Sequence, residues 1–98
     1  MANTCASEFL DRVLHGQGLM LADGGMGTLI QQAGLAHVHD VPDLLNLTHA
    51  NEIRDLQHRY VEAGSDCIAT NTFSSNRLKL AGTDTNVEEL YIAAARIA

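Results

Sequence analysis

The hydrophobic residues of this chain follow a helical period in some stretches and form short continuous runs in others. Apolar positions three and four apart predict a clear helix over 52–62 and another from Asn86 onwards. Shorter helices are predicted over 7–15, 28–33 and 74–80. Ser, Thr or Asn stands at the start of each segment, with Thr48 or Asn51 as alternatives for 52–62, and glycine follows most of them. The pattern indicates amphipathic helices separated by turns.

The continuous apolar runs predict two strands, over 19–22 and 66–72. Each run becomes polar towards its carboxyl end, at Asp23 in the first and at Thr70 in the second. A right-handed crossover through the intervening helix would set the two strands parallel. Because the carboxyl ends of parallel strands meet at one edge, we expect Asp23 and Thr70 to face one ligand.

A glycine cluster directly follows Asp23, with Gly24, Gly25 and Gly27 inside four positions. Glycine permits positive φ angles and the close approach of a ligand to backbone N–H groups. A carboxylate beside such groups suits the amino and carboxylate ends of an amino acid. The alternative is a plain strand-to-helix turn in which Asp23 acts as a cap. Nucleotide binding is not favoured, because Ile30 replaces the last glycine of the dinucleotide pattern and the cluster lacks the lysine of a P-loop.

Length and composition restrict the class of protein. The chain has 98 residues, of which 46% are hydrophobic, and this composition suits one globular domain. Its formal net charge of -6, without a basic stripe, argues against a nucleic-acid partner. No apolar run approaches the roughly 20 residues that span a bilayer, so we expect no membrane partner and a cytoplasmic location. Cys5 and Cys67 are expected to be free thiols.

The connection over 35–47 and the position just beyond it contain side chains with metal-ligand chemistry, namely His37, His39, Asp40, Asp43 and His49. A metal site there is one interpretation. A solvated loop is the favoured one, because no secondary element fixes the spacing of these side chains. We therefore predict no metal ligands in this chain.

Four motifs in a fixed order resemble one family. They are ADGGMGT at 22–28, NLT at 46–48, HRY at 58–60 with EAGSD at 62–66, and TNTF at 70–73. From about Leu19 to Ala98 the chain resembles the N-terminal part of a homocysteine S-methyltransferase domain. That family includes the homocysteine-binding module of cobalamin-dependent methionine synthase, stand-alone homocysteine methyltransferases and a betaine-using enzyme.

The resemblance implies an α/β fold. The chain would form the N-terminal βαβα portion of a (β/α)8 TIM barrel, preceded by a short helix. Residues 1–98 would then be a partial homocysteine-binding domain, truncated before the zinc-ligand cysteines. A small α/β module closed by self-association is the structural alternative, because two strands alone do not make a stable parallel sheet.

The resemblance also implies a reaction and its partners. A zinc ion, held by three cysteines outside this chain, would activate the thiol of homocysteine for attack on a methyl donor. Methyltetrahydrofolate acting through cobalamin, betaine and S-methylmethionine all remain open as donors. The first is favoured, with cobalamin and folate bound by other domains of the parent, and betaine is least favoured. The chain alone is expected to be inactive.

By the same resemblance, Asp23 pairs with the amino group of homocysteine. Gly24 and Gly25 supply backbone that approaches the substrate, and Thr70 and Asn71 line the pocket. The alternative function is that of a non-catalytic fragment or binding module. Such a fragment would associate through the apolar faces of the helices at 53–61 and 87–97.

Overall fold

A computed structural model describes residues 2–16, 18–36 and 40–98. About half of the chain is helical. The helices are α1 Ala2–Leu14, α2 Gly27–Gln32, α3 Leu45–Thr48, α4 Ala50–Glu62 and α5 Val87–Ile97. A short 3₁₀ helix, Pro42–Leu44, runs directly into α3. Proline suits this first turn because it has no N–H group to leave unpaired.

The predicted α/β class is wrong, and with it the βαβα portion of a TIM barrel. Over the described residues the two apolar runs form no continuous strand, and β pairing is limited to one parallel bridge between Ala22 and Cys67. The prediction assumed that both runs are buried. Instead, the side chains of Leu19 and Leu21 are 90% and 59% exposed. Apolar runs become sheet strands only when neighbouring strands and helices cover them, and one bridge provides no such cover.

The predictions of α4 and α5 are confirmed. Asn86 caps α5, where its Oδ1 accepts hydrogen bonds from the N–H groups of Glu88 and Glu89 at 2.9 and 3.3 Å. The expected caps of α4 are wrong, because the helix begins after His49 without a side-chain cap. The capping role predicted for Thr28 is also wrong, since it lies inside α2.

Helix α1 is longer than predicted, whereas the short helix predicted before residue 80 does not form. Helix α1 extends further towards the N-terminus than the predicted 7–15, and Gly16 follows it at a φ of +63°. The helix expected over 74–80 is a series of turns instead. There the Oδ1 of Asn76 accepts a hydrogen bond from the N–H of Lys79, which satisfies the backbone locally.

The core lies where α2, α3 and α4 meet. Its buried cluster consists of Ile30, Ala36, Leu45, Ile53 and Leu56. Helix α5 contacts α3 and α4 and buries Leu90 and Ala94. The inner faces of α4 and α5 are therefore covered by the chain itself. Val61 of α4 is nevertheless 46% exposed, and association through the two helix faces stays a prediction.

No helix among the described residues is both long and apolar enough to cross a membrane.

Candidate functional site

A cleft of about 630 Å³ lies beside the glycine cluster. Three stretches that are distant in sequence form its walls. They are residues 24–28, residues 42–43 and residues 69–74. The first stretch lies within the ADGGMGT motif at 22–28, and the third contains the TNTF motif at 70–73. Both motifs carried the family resemblance.

Hydrogen bonds from Asp23 join two of these walls. The N–H of Asp23 donates to the carbonyl oxygen of Cys67 at 3.0 Å, and the Oδ2 of Asp23 accepts from the N–H of Ala69 at 3.0 Å. Near these hydrogen bonds in the sequence, the Oδ2 of Asp66 accepts from the N–H of Leu21 at 2.8 Å. Asp23 therefore has a structural role at this junction. It does not cap the following helix, because the N-cap position of α2 is Met26, without a side-chain hydrogen bond.

The glycine turn differs from the prediction in its backbone angles. Among the described glycines with positive φ, none is Gly24, Gly25 or Gly27, so the expected use of positive φ is wrong. Available space distinguishes these positions instead. A Cβ on Gly24 would lie 3.2 Å from the hydroxyl oxygen of Tyr60, whereas one on Gly25 would meet no atom within 4 Å. The Tyr60 hydroxyl donates to the carbonyl oxygen of Gly25 at 2.5 Å and holds the turn against α4.

The structure brings most of the predicted site residues to the cleft. Gly24, Gly25, Thr70 and Asn71 line it, and Asp23 lies next to the lining residues rather than among them. Thr70 is exposed, and its hydroxyl shares a hydrogen bond of 2.8 Å with that of Thr72. These positions are compatible with the predicted contacts, which remain predictions.

The side chain of Asn71 is buried and hydrogen-bonded within the chain. It is only 6% exposed, and its Nδ2 donates to the carbonyl oxygen of Pro42 at 3.1 Å. In return, the Nδ2 of Asn46 donates to the carbonyl oxygen of Asn71 at 2.7 Å. The Asn71 side chain thus fastens the cleft wall to the segment before α3.

Sequence reasoning considered Asp43 only as a member of the metal interpretation and assigned Ser75 no site role. Asp43 is 1% exposed, and its Oδ2 accepts from the N–H of Ser74 at 2.7 Å and from the Oγ of Ser75 at 2.6 Å. The signal available in the sequence was a carboxylate between Pro42 and the apolar pair at 44–45. If such a position is buried, its carboxylate requires hydrogen-bond partners. Among the described residues that line the cleft, Asp43 is the one Asp, Glu, Lys or Arg side chain.

The electrostatics of the cleft suit a ligand with its own positive charge. Two carboxylates, from Asp23 and Asp43, lie at or beside the cleft, and none of the described residues that line it is Lys or Arg. A negative ligand group would depend on backbone donors. The N–H groups of Gly24 and Gly25 donate to no other described residue, so they are available for this purpose. An amino acid carries both kinds of charged group.

Comparison with known proteins identifies the family. The sequence model for homocysteine S-methyltransferase matches residues 20–98, which include all of the cleft walls. The chain belongs to the homocysteine S-methyltransferase family. All of α1 precedes the matched region.

One curated relative of this homocysteine S-methyltransferase segment is methionine synthase from Mycobacterium leprae (strain TN). The two sequences are 36% identical over 73 residues, which cover 69% of this chain and 6% of the relative. The chain therefore spans a small fraction of that protein's length. No solved structure gives a significant match.

The described residues of the segment do not fit a zinc site. They contain no group of three or more His, Cys, Asp or Glu side chains placed to hold a metal ion. Cys67 is a half-buried free thiol, and Asp40 is exposed. Of the other members of the metal interpretation, Asp43 is buried and His49 is exposed. His37 and His39 lie outside the described residues, as does the side chain of Cys5.

Proposed function

We propose that this chain supplies part of the homocysteine-binding region of a methyltransferase that converts homocysteine to methionine. One observation carries the proposal. The family match over residues 20–98 includes the walls of a cleft with carboxylates at or beside it and with backbone N–H groups, at Gly24 and Gly25, that donate to no described residue. That combination suits the two charged ends of an amino acid.

In this proposal Asp23 pairs with the ammonium group of homocysteine. Its Oδ2 already accepts one hydrogen bond from Ala69, and a carboxylate can accept several. The N–H groups of Gly24 and Gly25 take the substrate carboxylate. Thr70 and Asn71 belong to the opposite wall and shape the space around the substrate side chain.

The proposed reaction forms a bond between the homocysteine sulfur and a methyl carbon. The bond between that carbon and its donor breaks, and the thiol proton passes to solvent. We propose methyltetrahydrofolate acting through cobalamin as the donor, with both groups bound by other parts of the parent protein. A free thiol with a pKa of about 8.5 is mostly protonated at neutral pH, so it needs activation. Zinc held by cysteines outside this chain is the activation that the family resemblance implies. The described residues supply no step of it, and we expect this chain alone to be inactive.

The first prediction tests the role of Asp23. Asp23→Ala should weaken binding of L-homocysteine about tenfold or more, because a charge-assisted hydrogen bond contributes roughly 1.5–3 kcal/mol. Titration calorimetry on the protein that carries this chain measures the affinity. Asp55→Ala is the matched control, since Asp55 is an exposed acid of α4 away from the cleft.

A second ligand separates recognition from folding. 4-Mercaptobutyrate has the thiol and the carboxylate of homocysteine but lacks its ammonium group. The unsubstituted protein should prefer homocysteine, and Asp23→Ala should remove that preference. If Asp23→Ala weakens the binding of both ligands equally, Asp23 only supports the cleft. An unchanged preference for homocysteine would exclude Asp23 from the binding site.

A further inference from the structure

We propose that Asp43 is a positioning residue that holds the cleft wall formed by residues 71–75 in its ligand-binding shape. Nothing in the family resemblance assigned Asp43 a role. The inference deepens the proposed function where it concerns ligand affinity, and that part rests on the proposed function. The anchoring itself rests only on contacts within the chain.

The first support is the pair of hydrogen bonds that Asp43 accepts. Its Oδ2 receives the N–H of Ser74 at 2.7 Å and the Oγ of Ser75 at 2.6 Å, from two consecutive residues of the wall. Both are short, and the acceptor is a carboxylate, so they belong to the stronger class of hydrogen bonds. Asp43 is 1% exposed, which means that water does not substitute readily for either partner.

The second support is the anchoring of the other end of the wall. Asn71 receives a hydrogen bond from Asn46 at its carbonyl oxygen and donates one to the carbonyl oxygen of Pro42. Residues 42–46 therefore hold the wall at both ends. The segment itself is firmly placed, because Leu45 belongs to the buried core cluster.

The third support is the weak restraint on the side chain of Phe73 in the middle of the wall. Phe73 lines the cleft, yet its side chain is 99% exposed, so packing does not fix its position. The backbone of Thr72 is held by its neighbours, because its N–H donates to the carbonyl oxygen of Thr70 and its carbonyl oxygen accepts from the N–H of Ser75. On the other side of Phe73, the backbone is held by the hydrogen bond from the Ser74 N–H to Asp43. Loss of the Asp43 anchor frees the half of the wall that carries Phe73.

The distance between the wall and the glycine turn determines which ligand the cleft accepts. Asp43 acts on this distance through Ser74 and Ser75, and we assign it no contact with the reacting atoms. Its replacement should weaken ligand binding without disturbing the core formed by α2, α3 and α4.

The test compares Asp43→Ala, Asp43→Asn and Ser75→Ala in the protein that carries this chain, with Asp55→Asn as the matched control. Hydrogen exchange of individual amides is followed by NMR. In Asp43→Ala the Ser74 N–H should exchange about tenfold faster or more, because it loses a buried charged acceptor. The amides of Ile53 and Leu56 in α4 should keep their rates.

Two milder variants, Asp43→Asn and Ser75→Ala, test the same hydrogen bonds if Asp43→Ala fails to fold. Asp43→Asn retains an oxygen acceptor of the same shape, so it should restore part of the Ser74 protection. Ser75→Ala removes one of the two donors and should raise the exchange rate of Ser74 less than Asp43→Ala does. Asp55→Asn should change nothing.

Three results would overturn the inference. Unchanged Ser74 exchange in Asp43→Ala would show that no anchor exists. Equal acceleration of the α4 amides would show a general role in stability. Faster Ser74 exchange with an unchanged Kd for L-homocysteine would show that the wall does not govern binding. If the unsubstituted protein binds no homocysteine, the proposed function fails, and the Ser74 exchange alone supports or overturns the anchor.

Discussion

Two adjacent glycines of the cleft, Gly24 and Gly25, differ in what a side chain would meet. At Gly24 an added Cβ approaches the Tyr60 hydroxyl at 3.2 Å, closer than ordinary van der Waals contact. At Gly25 the space is open. The two positions therefore separate effects on packing from effects on the cleft.

Gly25→Ala should leave the free energy of unfolding within about 0.5 kcal/mol of the unsubstituted value, as for surface substitutions without a special contact. The added methyl group should keep the ligand carboxylate away from the Gly25 N–H, so that one hydrogen bond worth about 1 kcal/mol is lost and homocysteine binds about fivefold more weakly. Urea unfolding and calorimetry measure the two effects.

Gly64→Ala provides the opposite control. Gly64 has a φ of +112° and lies outside the cleft, so the change should cost about 1 kcal/mol or more of stability and leave affinity unchanged. The interpretation of Gly25 fails if Gly25→Ala destabilises the fold as much as Gly64→Ala does.

Tyr60 joins α4 to the glycine turn through its hydroxyl group. Tyr60→Phe removes the hydrogen bond to the Gly25 carbonyl oxygen and should lower the free energy of unfolding by about 0.5–1.5 kcal/mol. Tyr91→Phe is the matched control, because Tyr91 is exposed on α5. Similar midpoints of urea unfolding for the two variants would show that the Tyr60 bond does not stabilise the turn.

At the scale of elements, the helical period was a reliable guide and the apolar runs were not. Ile53 and Leu56 recur at helical spacing, and both are buried in α4 as that spacing predicts. A run such as 19–22 shows only that burial would be favourable. Whether burial happens depends on neighbours that a local pattern does not specify, and here Leu19 and Leu21 stay exposed.

The cap of α5 was also readable from sequence, because an N-cap acts on its own next three residues. Asn86→Ala should lower the free energy of unfolding by about 1 kcal/mol, within the range of roughly 0.5–2 kcal/mol for lost caps. Asn51→Ala is the control, since Asn51 lies within α4 and makes no cap hydrogen bond there. Equal effects of the two variants in urea unfolding would contradict the assignment of the cap.

The candidate site was predictable only in part, for a related reason. The glycine cluster and Thr70 were found because local chemistry marks them. The contact between Asp43 and Ser74 joins positions 31 apart, and nothing local to either residue indicates the other. The orientation of Asn71 depends likewise on Asn46, which lies 25 positions away.

At the scale of the whole molecule, the chain is less compact than its length suggests. Its radius of gyration is 14.8 Å, against about 13 Å for a compact domain of 100 residues. Of the side chains that the structure describes in α1, none belongs to the buried core cluster. Large apolar side chains are exposed on α1 and near the cleft, among them Leu14, Leu19, Phe73 and Leu78.

This exposure predicts self-association of the isolated 98-residue chain. Exposed apolar surface contributes about 25 cal/mol per Å² when it is covered, so the apparent mass should rise with protein concentration. Sedimentation velocity over a range of concentrations measures the effect. Leu19→Ser and Leu78→Ser should reduce it, whereas Gln31→Ser, at an exposed polar position, should not. A mass that stays monomeric at all concentrations would contradict the prediction.

The hydrogen bonds between the Asp23 region and the 66–69 segment also bear on the order of folding. They join residues 45 or 46 positions apart, and closing a loop of that length costs roughly 3 kcal/mol of chain entropy. Helices such as α4 form from local contacts and do not carry this cost. The cleft is therefore expected to assemble after the helices and to open before they unfold. A ligand that contacts both walls stabilises the closed loop by its binding free energy. Substrate binding and the folding of this part of the chain are therefore expected to be coupled.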